Sequence, residues 1–400
     1  METRTRPTQR TEADHLEWPF FTDEHRELAA SIREWTRREL WDQEEPDNID
    51  RACRALVRQL GESGWLKYVV PAAYGGAREV VDARSLCVLR EALATASGLA
   101  DFSFAMQGLG TGPITLFGSE ELKRRYLPDV ARGKHIAAFA ISEAGAGSDV
   151  GAMTTVARRD GDDFVLHGEK TWISNAGIAD HYVVFAKLDE RAPARDDERR
   201  YIALVVEADD PGVRVTERID VSAPHPLGTV QFDDCRVASE RVVGEAGSGM
   251  RIALGTLDLF RPTVGAAALG LARRAMMEAS SWVVEREVFG RLLAEHQLTQ
   301  ARLADMALSI DASALLVYRA AWTRDTTGRR TTREAAMAKL HATEHAQRVI
   351  DDAIQLLGAR GVTKGAVVER LYREIRALRI YEGTSEIQKI VIAGTLTRPT

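Results

Sequence analysis

The sequence has little of several features that would narrow its function. Its 400 residues include three cysteines, Cys53, Cys87 and Cys235, which are too scattered for a disulfide framework or a paired zinc site. Lysine plus arginine number 53 and aspartate plus glutamate number 59, which gives a formal net charge of −6. This balance argues against a protein whose main task is to bind the phosphate backbone of a nucleic acid.

Long apolar runs are scarce as well. Stretches such as 182–186 are far too short to cross a bilayer, and residues 1–15 are polar and mixed in charge, without a secretory apolar segment. We therefore predict a cytoplasmic protein without a membrane partner. His341 and His345 share one face of a predicted helix, but no third ligand accompanies them in the sequence, and no metal site is predicted.

The chain is long enough for two or three packed domains, and its pattern changes twice. We predict a polar segment over residues 1–19 that can be disordered, a helical domain over 20–134, a β-domain over 135–246 and a helical bundle over 247–400. The predicted fold class is therefore α+β and mostly α, with a central antiparallel β-domain or barrel between two helical domains.

Local signals set the elements of these domains. Thr22, followed by two acids, predicts a helix start, and Gly61 is predicted to end a helix over 51–60. Further helices are predicted over 83–96 and 120–131. In the β-domain, short β-branched and aromatic runs follow one another without intervening helices, which favours antiparallel pairing over a parallel Rossmann sheet. The predicted strands cover residues 164–167, 170–174, 181–186, 201–207, 213–215 and 229–232.

Two adjacent segments of the β-domain suggest a ligand site. A glycine-rich loop over 140–152 carries Ser142 and Ser148, and its backbone amides can approach a ligand closely. The following strand places Trp172 and Ser174 on one face, which offers an aromatic plane and a hydroxyl to a flat heteroaromatic ring. Taken alone, Trp172 is more readily explained as a core residue.

Together, these segments resemble the acyl-CoA dehydrogenase family. The loop from Glu143 to Asp149 matches the family's Glu-x-x-Gly/Ala-Gly-Ser-Asp motif, although Ala144 stands where proline is common. The strand Gly168-Glu-Lys-Thr-Trp-Ile-Ser-Asn175 matches the family's Gly-Glu-Lys-x-Trp-Ile-x-Asn motif. The similarity covers about residues 20–396 and continues, in order, through the segments 258–262, 286–290, 355–359 and 379–388.

The resemblance implies the cofactor, its contacts and the assembly. The family has a C-terminal four-helix domain and binds FAD between that domain and the β-domain. By transfer of motif positions, the flavin-ring contacts are Phe139, Ile141, Ser142, Ser148, Trp172 and Ser174, with Thr384 and Glu386 as further FAD contacts. Arg286 and Phe289 resemble residues that reach the FAD of a neighbouring subunit, opposite Gln355, Gly358 and Ala359. The expected assembly is a homo-oligomer, most commonly a tetramer in this family.

Glu382 is the predicted general base. It lies on a short connection between two predicted helices, the second of which is expected to begin at Ser385 with a capping box to Gln388. On its own, Glu382 is best explained as an exposed loop acid, but the resemblance places the catalytic base at this position. A subset of the family takes its base from the position held here by Phe260, which cannot accept a proton.

The resemblance also implies a substrate site and an electron acceptor. Ser148, Tyr381 and Gly383 match substrate contacts, and Asp258 and Arg261 match residues along the CoA channel, although a salt bridge at a helix end is an alternative for both. Phe102 and Phe104 are bulky for the expected acyl cavity, which favours a short, branched or cyclic acyl group. The expected acceptor is an electron-transferring flavoprotein.

Two other classes of function remain open from the sequence. One is a flavin-dependent oxidase or monooxygenase on the same fold, although such relatives tend to replace the glutamate base. The other is a catalytically silent protein that binds acyl-CoA or flavin. A lyase reaction on an acyl-CoA is a further alternative, and it too usually accompanies loss of the base.

Overall fold

The computed structural model describes residues 14–41, 44–189 and 200–397. Its helices are α1 (Asp23–Glu39), α2 (Ile49–Glu62), α3 (Ala83–Ala96), α4 (Gly98–Phe117), α5 (Glu120–Ala131), α6 (Gly249–Val283), α7 (Gln297–Thr327), α8 (Thr332–Leu357), α9 (Val367–Leu378) and α10 (Ser385–Thr397). Its strands are β1 (Ala137–Ala140), β2 (Val156–Asp160), β3 (Asp163–Ser174), β4 (His181–Leu188), β5 (Tyr201–Glu207), β6 (Val213–Arg218), β7 (Leu227–Val237), β8 (Glu287–Val288) and β9 (Arg291–Leu292).

The predicted helix that should end at Gly61 is longer than expected. Helix α2 includes Gly61 and ends at Glu62, so the prediction that this glycine terminates the helix is wrong. A methyl group on Gly61 would lie 2.3 Å from the carbonyl oxygen of Arg132. The glycine is therefore needed for close packing of two backbone segments, and not for a turn.

Of the polar N-terminal segment, residues 14–19 are described and are folded, whereas residues 1–13 lie outside the described residues, so the expectation of disorder there stays a prediction. Asp14–Glu17 form a 3-10 turn, and His15 and Leu16 are buried. His15 lies against the fully buried acid Glu91, with an Nε2–Oε1 distance of 3.6 Å, and Arg273 lies 2.9 Å from the same oxygen. Burial lowers the pKa of His15 to about 4, so the imidazole is neutral at pH 7.

The β-domain is a seven-stranded sheet with the order β1-β4-β2-β3-β7-β6, and β5 pairs with β4. Pairs β2–β3, β3–β7, β4–β5 and β6–β7 are antiparallel, as predicted. The pairings of β4 with β1 and with β2 are parallel. Strand β3 is irregular near residues 166–168 and 170–173, where it passes the predicted ring-binding residues.

The described chain divides into two compact units, each built from segments that are not contiguous in the sequence. One unit holds the chain up to Glu45, Ala83–Asp101 and Arg261 onward, and the other holds Pro46–Asp82 and Phe102–Phe260. Among the described helices, α6 is long and apolar enough, by length and composition alone, to cross a membrane, a feature that the short apolar runs did not reveal. Its most apolar window is 83% buried within the protein, as in a core helix.

Candidate active site

The predicted base, Glu382, lies on a turn between α9 and α10 with an unusual backbone. Glu382 has a φ of 54° and Gly383 a φ of 92°, so two consecutive residues are left-handed. A left-handed conformation is uncommon for a glutamate and is retained only where the surroundings fix it. The turn is therefore a candidate for a functionally constrained segment.

Three side chains of the same compact unit fix the carbonyl groups of this turn. Lys339 Nζ donates to the oxygen of Gly383 at 2.7 Å. Gln388 Nε2 donates to the oxygens of Glu382 and Gly383 at 3.1 and 2.9 Å, and Arg261 Nε donates to the oxygen of Glu382 at 3.3 Å. Two donors therefore fix the Glu382–Gly383 peptide, and two fix the Gly383–Thr384 peptide that follows it.

A carboxylate of α8 holds both ends of the turn. Arg379, before the turn, donates from Nε and Nη2 to the two oxygens of Glu344 at 2.9 Å each, and Ser385, after the turn, donates to the same carboxylate. The predicted capping box between Ser385 and Gln388 is therefore wrong, because both side chains bind other partners. The Oγ1 of Thr384 takes the capping position instead and accepts from the N–H of Ile387 at 3.4 Å.

The carboxylate of Glu382 has the environment of a base. Its Oε2 atom is buried and has no hydrogen-bond partner in the described part of the chain. Burial raises the pKa of Glu382, an effect that the charges of Arg90, Lys339 and Arg261 oppose and that of Asp101 reinforces. A carboxylate that gives up solvation without gaining a donor is a stronger proton acceptor than an exposed one.

A buried polar cluster lies beside the turn. Arg90 binds Asp101 through two hydrogen bonds of 2.8 and 2.7 Å and donates to Thr263 at 3.0 Å. It also interacts with the hydroxyl of Tyr381, whose pKa is raised by burial. These residues were not predicted, apart from Tyr381. Arg90 and Glu91 interrupt an otherwise apolar run on α3, and this interruption is the signal that could have identified them.

In the other compact unit, a buried ion pair shapes the glycine-rich loop. Lys170 Nζ lies 2.8 Å from Glu143 Oε1, and the same carboxylate accepts from the backbone N–H groups of Thr154 and Thr155 at 2.6 and 2.9 Å. Burial opposes the charge of Glu143, but the hydrogen bonds from Lys170, Thr155 and Thr154 outweigh it and lower the pKa of the acid to about 2. The pair anchors the loop that presents Ser142 and Ser148.

Trp172 is displayed by a bulge in β3. The residue has a φ of 54° and the pairing with β7 shifts between Lys170 and Ile173. The indole is 54% exposed, whereas Thr171 and Ile173 are buried and Ser174 is half-buried. The accessible tryptophan is therefore not a core residue, and its exposed ring is available to a planar ligand.

The remaining predicted contacts of this unit are placed as follows. Phe139 is half-buried on β1, Ile141 is buried and Ser148 is exposed. Phe102 is buried and stacks on His225 with ring centroids 4.3 Å apart. Asp258 is buried. Phe260 packs closely against Gly108, where an added methyl group would lie 2.7 Å from the phenylalanine ring.

The residues predicted to serve a neighbouring subunit lie at the surface. Phe289 is 98% exposed, with a φ of 49°, at the tip of the β8–β9 hairpin, and Arg286 beside it is also exposed. Gln355, Gly358 and Ala359 are exposed at the end of α8. Glu386 is exposed as well, on the first turn of α10.

These features fit FAD. An exposed indole beside a glycine-rich loop suits an isoalloxazine ring, and a methyl group on Gly145 or Gly147 would meet no atom within 4 Å, so the loop is open to a ligand. The residues that would hold the ring are Phe139, Ile141, Ser142, Ser148, Trp172 and Ser174. In the first unit, Thr384 and Glu386 flank the Glu382 turn.

Comparison with known proteins identifies the class. Models of the acyl-CoA dehydrogenase N-terminal, middle and C-terminal domains match residues 22–134, 138–235 and 247–397. These matches cover most of the chain, in the order of the three segments described above. The chain belongs to the acyl-CoA dehydrogenase family, which makes it an oxidoreductase with FAD as its cofactor.

Relatives of this chain have different names. It is 35% identical over 388 residues to a 3-(aryl)acrylate reductase of Clostridium sporogenes, a match over 95% of this chain and 100% of the relative. It is 37% identical to the human mitochondrial short-chain specific acyl-CoA dehydrogenase, over 94% of this chain and 90% of the relative. Among solved structures, butyryl-CoA dehydrogenase of Megasphaera elsdenii superposes with a TM-score of 0.86 at 29% identity, covering 94% and 99% of the two chains.

Proposed function

We propose that this protein removes hydrogen from the α and β carbons of a saturated acyl-CoA thioester, with Glu382 as the base that takes the α-proton. The observation that carries the proposal is the buried Oε2 atom of Glu382, which has no hydrogen-bond partner among the described residues, on a turn whose backbone is left-handed. The product of this reaction is a trans-2-enoyl-CoA.

The chain's own residues address the main chemical difficulty, because a proton beside a thioester is a very weak acid. Burial raises the pKa of Glu382 and so narrows the gap in acidity between the α carbon and the carboxyl group. The hydrogen bonds to the carbonyls of Glu382 and Gly383 fix the backbone that carries the carboxylate, so proton transfer requires no rearrangement of the turn. FAD supplies the acceptor for the hydride from the β carbon.

The nature of the acyl group is part of the proposal. Phe102 and Phe104 are buried, large side chains of α4, which supports a short, branched or cyclic acyl group. The name of the short-chain specific human relative supports the same choice. An electron-transferring flavoprotein is the proposed acceptor, and a homotetramer in the cytoplasm is the proposed assembly and location.

The name of the bacterial reductase relative favours a second candidate function, the reduction of an arylacrylyl substrate. Proton and hydride transfer run in both directions through the same groups, so a protonated Glu382 can deliver a proton to the α carbon of an arylacrylyl substrate. The raised pKa of Glu382 serves this direction as well. Direction and substrate therefore have to be measured together.

The test is anaerobic titration of the purified flavoprotein with saturated acyl-CoA thioesters of varied chain length and branching. Bleaching of the flavin absorbance by some of them supports dehydrogenation, and Glu382→Gln should retain ligand binding but lose flavin reduction by orders of magnitude. Glu382→Asp, which keeps the charge on a shorter side chain, should retain partial activity. The chemically reduced protein is then mixed with enoyl-CoA and 3-arylacrylyl substrates to test the reverse direction.

Other outcomes would redirect the assignment. Binding of acyl-CoA without any bleaching favours a silent binding protein or a lyase. Rapid reoxidation of the reduced flavin by oxygen favours an oxidase or monooxygenase. Full activity of Glu382→Gln would place the base elsewhere.

A further inference from the structure

Lys339 is an unusual residue in its surroundings. It lies on the buried face of α8 among Ala335, Ala338 and Ala342, and none of its surface is exposed. The hydrogen bond that its ammonium group makes goes to a neutral carbonyl, that of Gly383. Burial lowers the pKa of Lys339 to about 8, whereas the charge of Glu382 opposes this change. A buried lysine is costly, so its position calls for a specific reason.

The reason lies in the turn that it contacts. Lys339 reaches the tip of the Glu382–Gly383 turn, while Glu344, five residues further along α8, holds both ends of the turn through Arg379 and Ser385. One helix therefore fixes the turn at its tip and at its base. Gln388 completes the arrangement with donors to both carbonyls of the turn.

The charges around the base come from four helices. Arg90 of α3, Asp101 of α4, Arg261 of α6 and Lys339 of α8 all act on Glu382. The groups that act on Lys339 are Glu382, Arg261, Glu344 and Glu386. Arg90 is held by Asp101 and Arg261 donates to the Glu382 carbonyl. Arg261 and Lys339 each combine a charge that acts on Glu382 with a hydrogen bond to the turn, and they bind successive carbonyls, those of Glu382 and Gly383.

We propose that Lys339 is a positioning residue for the base: it orients the Gly383–Thr384 peptide, directly after the base, by its hydrogen bond to the Gly383 carbonyl, and it stabilises the ionised carboxylate by its charge. This inference rests on the proposed role of Glu382. It assigns two separable contributions to one side chain, orientation and charge. Gln388 contributes orientation without charge, which makes it the natural comparison.

Four variants separate these contributions. Lys339→Met removes the donor and the charge, Lys339→Gln removes the charge but keeps a donor, and Gln388→Met removes donors but no charge. Lys364→Met, at an exposed lysine of the segment between α8 and α9, serves as the control. The ionisation of Glu382 is followed by infrared difference spectroscopy of the carboxyl stretch in the FAD-loaded, substrate-free protein, with Glu382→Gln to assign the band. Flavin reduction by the best acyl-CoA is followed by stopped flow across pH.

The expected results differ for each variant. Lys339→Met should raise the pKa of Glu382 and slow flavin reduction at its high-pH limit by about tenfold or more. Lys339→Gln should raise the pKa of Glu382 by a similar amount, but it should lower the high-pH limit of the reduction rate less. Gln388→Met should slow flavin reduction without moving the pKa of Glu382, and Lys364→Met should change neither the rate nor that pKa.

The proposal is overturned if the pKa of Glu382 and the rate are unchanged in both Lys339 variants, or if both variants lose stability without a shift of that pKa. If Lys339→Met does not fold, Lys339→Gln decides by the same two measurements. The infrared titration requires no turnover. It therefore tests the role of Lys339 even if none of the acyl-CoA thioesters reduces the flavin. That outcome would count against the proposed function alone.

Discussion

Arg90 and Asp101 form a buried ion pair in which two nitrogens of the guanidinium meet two oxygens of the carboxylate, with Nε–Oδ1 and Nη2–Oδ2 distances of 2.8 and 2.7 Å. The remaining edge of Arg90 binds Thr263 at 3.0 Å. The pair joins α3 to the start of α4, and both charges act on Glu382. It therefore combines a structural role with an electrostatic one at the proposed base.

Breaking this pair should be costly. Arg90→Met or Asp101→Asn leaves one buried charge without its partner, and each should lower the free energy of unfolding by about 3–5 kcal/mol. The double variant should lose less than the sum of the single losses, because no lone charge remains. The measurement is urea denaturation. The matched pair Arg132–Asp129, which is largely exposed, should contribute about 1 kcal/mol or less. Additive losses at Arg90 and Asp101 would contradict the coupling.

Gly383→Ala should disable the turn. The φ of 92° is unfavourable for alanine, and the new methyl group would lie 2.7 Å from Gln388 Nε2. We expect slower flavin reduction by about tenfold or more and a loss of stability of about 1–3 kcal/mol. Gly365→Ala is the control, because Gly365 has a similar φ of 88° but a methyl group there meets no atom within 4 Å. Equal losses in the two variants would mean that the contact with Gln388 is unimportant.

Acid should weaken the unit that contains the glycine-rich loop. The pKa of Glu143 is lowered to about 2 from its ordinary value of 4.5, so its ionised form stabilises the folded state at neutral pH. This contribution is present above about pH 4.5 and is lost as the pH falls toward about 2. Glu143→Gln should be less stable at pH 7 by on the order of 2–3 kcal/mol and should show a flatter loss of stability on acidification. Urea titrations from pH 7 to pH 3 measure this, and parallel curves for the two proteins would refute it.

The β8–β9 hairpin should matter for assembly and for FAD retention at once. Phe289 is almost fully exposed, and its left-handed backbone is an uncommon conformation for a bulky residue, so the hairpin is a candidate for a constrained contact segment. Phe289→Ser and Arg286→Ala should therefore reduce the bound FAD and shift the protein toward smaller assemblies. Absorbance of the bound flavin and analytical ultracentrifugation report the two effects. Lys364→Ala, another exposed cation, is the control, and fully loaded, fully assembled hairpin variants would exclude a role between subunits.

Much of the fold could be predicted because local patterns are strong where packing is regular. The predicted helices over 83–96 and 120–131 and the predicted strand over 201–207 have the observed bounds. Prediction fails where a residue far away in the sequence determines the local structure. Gly61 stays helical because the backbone of Arg132 packs against it. Ser385 does not cap α10 as predicted, because its hydroxyl donates a hydrogen bond to Glu344 instead.

The site shows the same division. The Glu382 turn and the glycine-rich loop could be located from motifs, but the residues that fix them could not. Lys339 and Glu344 precede Glu382 by about forty residues in the chain, and only the fold of α8 brings them to the turn. A signal was present: Lys339 interrupts an alanine-rich buried stripe, and a charge in such a stripe indicates a buried interaction.

The two anchors on α8 have a consequence for how this protein can change over evolutionary time. Since Lys339 and Glu344 hold the Glu382 turn from one helix, substitutions outside α8 can change the residues that contact the substrate while those anchors stay in place. New specificities can then arise in small steps, each of which preserves the reaction. In a chain organised in this way, the residues that hold the proposed base can be kept while the residues that contact the substrate change.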